Sequence, residues 1–128
     1  MFKEQQLVSN RLHTAYNLNK LALIYRAQCQ YPQAELFLQR ALKIREQQLG
    51  PEHPDVAASL HDLAVLLSDQ GRTDQANLLF QRALTIREEK LGPEHPDTQI
   101  TMARLYPYGN VWFVMPEQGI ERNINVSL

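Results

Sequence analysis

Leu49-Gly50-Pro51-Glu52-His53-Pro54-Asp55 returns letter for letter as Leu91-Gly92-Pro93-Glu94-His95-Pro96-Asp97, 42 residues later. Internal repetition at a fixed period is the signature of stacked architectures. Laid without a gap over Leu60 to Asp97, the segment Leu18 to Asp55 is identical at 21 of 38 positions. Random composition gives about two or three such matches, so the chain contains a duplicated unit.

Each unit carries apolar residues at helical spacing. In the first these are Leu18, Leu21, Ala22 and Tyr25, then Ala34, Phe37, Leu38, Ala41 and Ile44. The second has Leu60, Leu63, Ala64 and Leu67, then Ala76, Leu79, Phe80, Ala83 and Ile86. Gly71 can adopt the left-handed conformation that ends a helix, and Pro51 with Pro54 forbids continuation past the second helix of unit one. Pro54 and Pro96 suit a first helical turn, where a missing N–H costs nothing, and Asp55 and Asp97 place a carboxylate at the positive end of the helix dipole. The spacing predicts helices over about 6–28, 33–49, 54–70, 75–91 and 96–106. The small residues Ala34, Ala41, Ala76 and Ala83 let neighbouring helices approach while Leu, Phe and Tyr fill the remaining volume.

Leu60-x2-Leu63-Ala64-x2-Leu67 followed by Ala76-x3-Phe80-x2-Ala83 resembles the tetratricopeptide signature, and Leu18, Leu21, Ala22, Tyr25, Ala34, Leu38 and Ala41 resemble it equally. That family commonly repeats at about 34 residues. The 42-residue period, the Ala-Leu-x-Ile-Arg-Glu run and the Leu-Gly-x-x-His-Pro linker are similar to its kinesin light chain subclass, over about residues 14–106. The resemblance implies an all-α solenoid of antiparallel helix hairpins, with two full tetratricopeptide repeats, a partial third, and an irregular C-terminal tail.

A third unit begins at Thr98, with Met102 and Leu105 at the places of Leu60 and Leu63, but Tyr106 replaces an Ala and Pro107 breaks the helix. The repeat array is therefore assigned to 1–106 and a non-repeat tail to 107–128. The tail carries a strand-like run, Val111-Trp112-Phe113-Val114-Met115. It is expected to cover apolar surface on the last hairpin, since terminal repeats are commonly atypical. A fragment of a longer array, or an aromatic run that docks on another chain, are the alternatives.

Thirteen basic and fourteen acidic residues leave a formal charge of −1, with 44% hydrophobic and 21% charged residues. That is an ordinary globular balance with no field to gather nucleic acid or an anionic membrane. No segment reads as a signal peptide or a membrane span. Cys29 stands alone, so an intrachain disulfide is excluded and a reducing, cytoplasmic setting is expected.

Tyr16, Asn19, Leu23 and Arg26 recur at spacings of three, four and three on the first helix, roughly 130 degrees around from its packing stripe. The equivalent stripe of the second unit is Ala58, His61, Val65 and Ser68. By the resemblance, this second stripe lines a concave groove, and an Asn at the place of Asn19 grips extended peptides. His61 and Ala103 hold that place in later units, while Lys20 and Asp62 stand where the subclass has a second Asn. An ordinary solvated face has the same residue types.

Other motifs carry no chemistry. His53-Pro54-Asp55 and His95-Pro96-Asp97 match the His-Pro-Asp tripeptide of J-domain co-chaperones in letters alone, because here the tripeptide recurs with the linker. With Glu52 and Glu94 they make no metal site, lacking a second His at i+4. Cys29 has no paired base, and is read as a Gly replacement in a turn. Arg45-Glu46 and Arg87-Glu88 are read as solvated or inter-helix charges. No catalytic constellation, metal or cofactor is expected. The expected function is a protein-interaction adaptor with a protein or peptide partner. The alternative is an assembly piece that self-associates through exposed repeat ends.

Overall fold

The structure, a computed structural model, describes residues 2–107, with Phe2 described by its backbone alone. Five helices and no strand occur among the described residues: α1 (Phe2–Ala27), α2 (Tyr31–Leu49), α3 (Pro54–Asp69), α4 (Thr73–Leu91) and α5 (Pro96–Leu105). Consecutive helices pack as hairpins, α1 on α2 and α3 on α4, and α2 on α3 and α4 on α5 join one hairpin to the next. The expected all-α repeat solenoid is therefore the observed one. The Val111–Met115 run, and the cover it was expected to give the last hairpin, lie outside the described residues.

Helix α1 starts earlier than the spacing predicts, and the sequence explains why. Glu4-Gln5-Gln6-Leu7 repeats Glu46-Gln47-Gln48-Leu49 at the same 42-residue offset. Where the later unit then breaks at Gly50-Pro51-Glu52-His53-Pro54, α1 has Val8-Ser9-Asn10-Arg11-Leu12, with neither Gly nor Pro, and the helix runs through. Helix α2 also starts two residues before the expected point, because a proline near the N-terminus of a helix costs no internal hydrogen bond, and Pro32 sits there.

The linker tripeptide is a helix start. His53 precedes α3 in an extended conformation, and its Nδ1 accepts the backbone N–H of Asp55 at 2.9 Å. His95 does the same for Asp97 at 3.1 Å before α5. The imidazole thus takes the capping role usually held by Ser, Thr, Asp or Asn.

At the hairpin turns, Gly71 has φ +78° and Cys29 has φ +61°, the only non-glycine in this region among the described residues. The expectation that Cys29 occupies a left-handed turn holds.

The core follows the repeat. Ala15, Leu18 and Ala41 form one buried cluster inside the first hairpin. Val56, Ala57, Leu60, Ala83 and Ile86 form the matching cluster inside the second. Ala22, Ala34, Leu38, Leu63, Ala64, Leu66, Leu67, Ala76 and Phe80 join the two hairpins. Leu21, expected in the packing stripe, is 43% exposed, whereas its counterpart Leu63 is 6% exposed. The reason is positional, since α2 of the first hairpin covers Leu63 and no described hairpin packs on the equivalent face of α1.

Candidate functional site

Adjacent first helices of the hairpins are tied side by side through polar groups one repeat plus one residue apart. Asn19 Nδ2 on α1 donates to Asp62 Oδ2 on α3 at 2.7 Å. Seven residues along, Arg26 Nε donates to the Asp69 carboxylate, so the ion pair repeats the tie two turns later. These bonds bring the α1 stripe, Tyr16, Asn19, Leu23 and Arg26, alongside α3 and its stripe Ala58, His61, Val65 and Ser68.

The two stripes are not uniform. Tyr16 and Leu23 are 50% and 43% exposed. Asn19, Arg26, Ala58, His61, Val65 and Ser68 are all half-buried. Tyr16 is flanked by His13, whose ring stacks near it, and by Lys20, whose ammonium lies 5.0 Å over the Tyr16 ring. Half-exposed apolar groups therefore alternate with polar groups already held in place.

His61 is the most constrained of these residues. Its Nδ1 lies 3.0 Å from Thr101 Oγ1 on α5, and its ring meets Phe80 edge-on at 5.3 Å between centroids. Burial, then the positive charges of Arg87 and Arg104, hold its pKa down at about 4. His61 is thus a neutral hydrogen-bonding group at physiological pH, tied to the third unit as Asn19 is tied to the second. Ala103, at the corresponding place in the third unit, is exposed.

Asp62 shows the opposite shift. Burial raises its pKa, although the Asn19 amide and the cations Arg87, Arg45 and Arg26 pull the other way. Asn19 Oδ1 is covered, while its Nδ2 makes the bond to Asp62.

Sequence reading alone missed Asp62 and Asp69 as partners of the stripe. The signal was present as a spacing of 43 residues between complementary side chains, but it becomes legible only once neighbouring first helices are known to lie side by side. It also missed Arg104, whose guanidinium carbon stands 5.4 Å over the Phe80 ring where Asp62 stands in the preceding unit.

Arg45 and Arg87 prove to be inter-helix groups. Arg45 Nη1 donates to Ser59 Oγ at 2.8 Å and to Asp55 O at 3.4 Å. Arg87 Nη1 repeats both bonds, to Thr101 Oγ1 at 2.7 Å and to Asp97 O at 3.1 Å. From α2, Glu35 pairs with Arg72, the residue before α4, at 3.1 Å, and Glu46 with Arg82 of α4 at 2.8 Å. Three sets of polar ties thus fix each hairpin on its neighbour.

Among the described residues no group of acidic, His or Cys side chains has the arrangement of a metal site, and no helix is long and apolar enough to cross a membrane. Cys29 is exposed, with the Tyr31 hydroxyl 3.8 Å from its sulfur.

No curated protein matches the chain. The family model for the tetratricopeptide repeat matches residues 11–89, more than half of the sequence and most of both hairpins. The 42-residue duplication, the hairpin architecture and this match agree, and the chain belongs to the tetratricopeptide repeat family.

Proposed function

We propose that this chain is a protein-interaction adaptor that receives an extended segment of a partner protein along the stripes Tyr16, Asn19, Leu23, Arg26 and Ala58, His61, Val65, Ser68. Tetratricopeptide repeats generally mediate protein–protein interaction, and the proposal assigns that role to one concave face. The observation that carries it is the pair of ties between α1 and α3, Asn19–Asp62 and Arg26–Asp69. They hold Tyr16 and Leu23 half-exposed on a surface whose polar groups are ordered before any ligand arrives. A preformed surface lowers the entropic cost of association.

Recognition is the whole mechanism in this reading, with no bond made or broken and no cofactor, nucleic acid or membrane required. Tyr16 and Leu23 supply apolar contact, and the Asn19–Asp62 and Arg26–Asp69 ties set polar groups beside them. The kinesin light chain-like features, the long linker and Asn19, favour an extended peptide over a helical one. The exposed thiol of Cys29 fits a reducing cytoplasm.

A peptide ligand selected from a display library and titrated into isotopically labelled protein tests the assignment. Amide shifts are expected to concentrate at Tyr16, Leu23, Val65 and Ser68. Shifts concentrated instead around Leu36 and Leu78, exposed at 54% and 67% on α2 and α4, would place binding on another face.

A further inference from the structure

A formal charge of −1 over the whole chain conceals a division between its hairpins. Residues 2–49 carry seven Lys or Arg against three Asp or Glu, whereas residues 50–107 carry five against nine. The first hairpin is therefore four charges positive and the rest of the described chain four charges negative. Ion pairing sharpens the contrast, because Glu35 and Glu46, two of the three acids of the first hairpin, are engaged by Arg72 and Arg82 of the second unit. Lys3, Arg11, Lys20, Arg40 and Lys43 all remain exposed.

Two of these cations stand beside an exposed leucine on the outside of the second helices. Along α2, Gln33, Leu36, Arg40, Lys43 and Gln47 follow at spacings of three and four and are all exposed, which marks the side turned away from the first helices. Leu78 on α4 holds the place of Leu36, and the two are 67% and 54% exposed. Arg82, at the place of Arg40, is taken up by Glu46 and by the Pro51 carbonyl at 2.8 and 3.4 Å. Arg40 and Lys43 have no carboxylate within ion-pair distance among the described residues.

We infer that this outer face of α2 and α4 receives an acidic amphipathic helix of a partner protein, its apolar side on Leu36 and Leu78 and its carboxylates on Arg40 and Lys43. Charge sets the sign of the occupant. The acids of α2 point aside into Arg72 and Arg82, so the two cations beside Leu36 are uncompensated and favour an anionic segment over a cationic one. A single exposed leucine is ordinary. Two at one register, next to unpaired cations, make a surface with a defined complement.

The form of the occupant follows from the spacing. The Glu35–Arg72 and Glu46–Arg82 pairs hold α2 and α4 side by side, with roughly 10 Å between axes as in packed helices. One incoming helix bridges that distance with apolar residues seven apart, a rise of about 10.5 Å, in the manner of helix-in-groove recognition. Its placement is set as well, for Glu89 of α4 stands exposed at the place of Gln47 and turns the incoming carboxylates toward α2. Two free cations are too few for an anionic lipid surface, which calls for clusters of about four to eight. This face lies on the second helices and the peptide stripes on the first, so the two readings stand or fall separately.

Two synthetic helical peptides, alike in leucines seven residues apart but carrying glutamate in one and lysine in the other, are titrated into the isotopically labelled full chain. The glutamate peptide is expected to shift the amides of Leu36, Arg40, Lys43 and Leu78, with an affinity that falls as salt is added, while the lysine peptide leaves them in place. Arg40→Glu/Lys43→Glu is expected to weaken the glutamate peptide about tenfold or more and to admit the lysine peptide. Leu36→Ala/Leu78→Ala is expected to weaken the glutamate peptide as well. Both variants are expected to keep the helical circular dichroism of the wild type, since all four side chains are exposed, and to keep the affinity of a peptide bound along the Tyr16–Ser68 stripes. Equal affinity for the two peptides, amide shifts centred elsewhere, indifference to the charge reversal, or a chain that co-sediments with phosphatidylserine vesicles while ignoring the glutamate peptide would each overturn the inference.

Discussion

Cys29 and Gly71 occupy the same turn in successive hairpins, at φ +61° and +78°. A side chain in left-handed backbone costs about 1–2 kcal/mol, and a glycine there returns about 0.5–1 kcal/mol of that through its greater freedom when unfolded. A Cβ built on Gly71 meets nothing within 4 Å, so the strain lies in the backbone and not in crowding. Cys29→Gly is therefore expected to raise stability by about 0.5–1 kcal/mol, visible as a melting temperature a few degrees higher. A clear fall would mean that the thiol and its contact with Tyr31 stabilise the turn. His61 gives a second residue-scale prediction. Its folded pKa of about 4 lies below the ordinary 6.5, so between those values the unfolded chain binds a proton that the folded chain refuses. Stability from this group is intact above about 6.5 and falls as pH drops toward about 4. Asp62, shifted upward, acts with the opposite sign, losing stability as pH rises just above the ordinary carboxylate range. Melting curves of His61→Asn are expected to show a shallower acid limb than wild type over the His61 window. An identical limb would assign the acid sensitivity to other groups.

Between elements, the duplicated arginines provide an internal comparison. Arg45 and Arg87 make the same two bonds to the next helix, but Arg45 is half-buried while Arg87 is 7% exposed, with its Nε covered and unpartnered. Removing Arg87 also takes a charged donor from the buried Thr101 hydroxyl and the Asp97 carbonyl, which keep only each other and, for Thr101, His61. Arg87→Ala is expected to cost more than Arg45→Ala, by about 1–2 kcal/mol in denaturant unfolding. Equal costs would mean that burial adds nothing to the tie. Helix starts are tested the same way: His53→Ala removes the Nδ1 acceptor for Asp55 N–H and should cost about 1 kcal/mol. How much was legible beforehand divides along the same line. Helix number, order and approximate ends could be read because Gly71, Pro54 and Pro96 act locally on the backbone. The roles of Arg45 and Arg87 stayed open, since repetition alone does not distinguish a solvated charge from a staple. Their partners Ser59 and Thr101 lie fourteen residues on, in a helix whose docking angle no local pattern encodes. The exposure of Leu21 and Ile24 was illegible for a related reason: their own letters match the buried Leu63 and Leu66, and exposure depends on which described hairpin packs on a face and not on its letters.

Across the molecule, polar ties run in parallel sets. Asn19–Asp62 and Arg26–Asp69 join α1 to α3, Glu35–Arg72 and Glu46–Arg82 join α2 to α4, and the arginine staples join each hairpin to the next. Exposed ion pairs are each worth only about 0–1 kcal/mol, so apolar packing in the shared cluster supplies most of the stability. The ties matter more for orientation, since they hold the stripes of successive hairpins in one alignment. Function on this account is the presentation of Tyr16 and Leu23 within that alignment. The most direct test is the affinity of a selected peptide ligand for Tyr16→Ala/Leu23→Ala, set against Leu36→Ala/Leu78→Ala, which truncates exposed leucines on α2 and α4. The account predicts a loss of about tenfold or more for the first variant, about 1.4 kcal/mol, with wild-type affinity in the second. Unchanged affinity in the first variant, or a larger loss in the second, would contradict it.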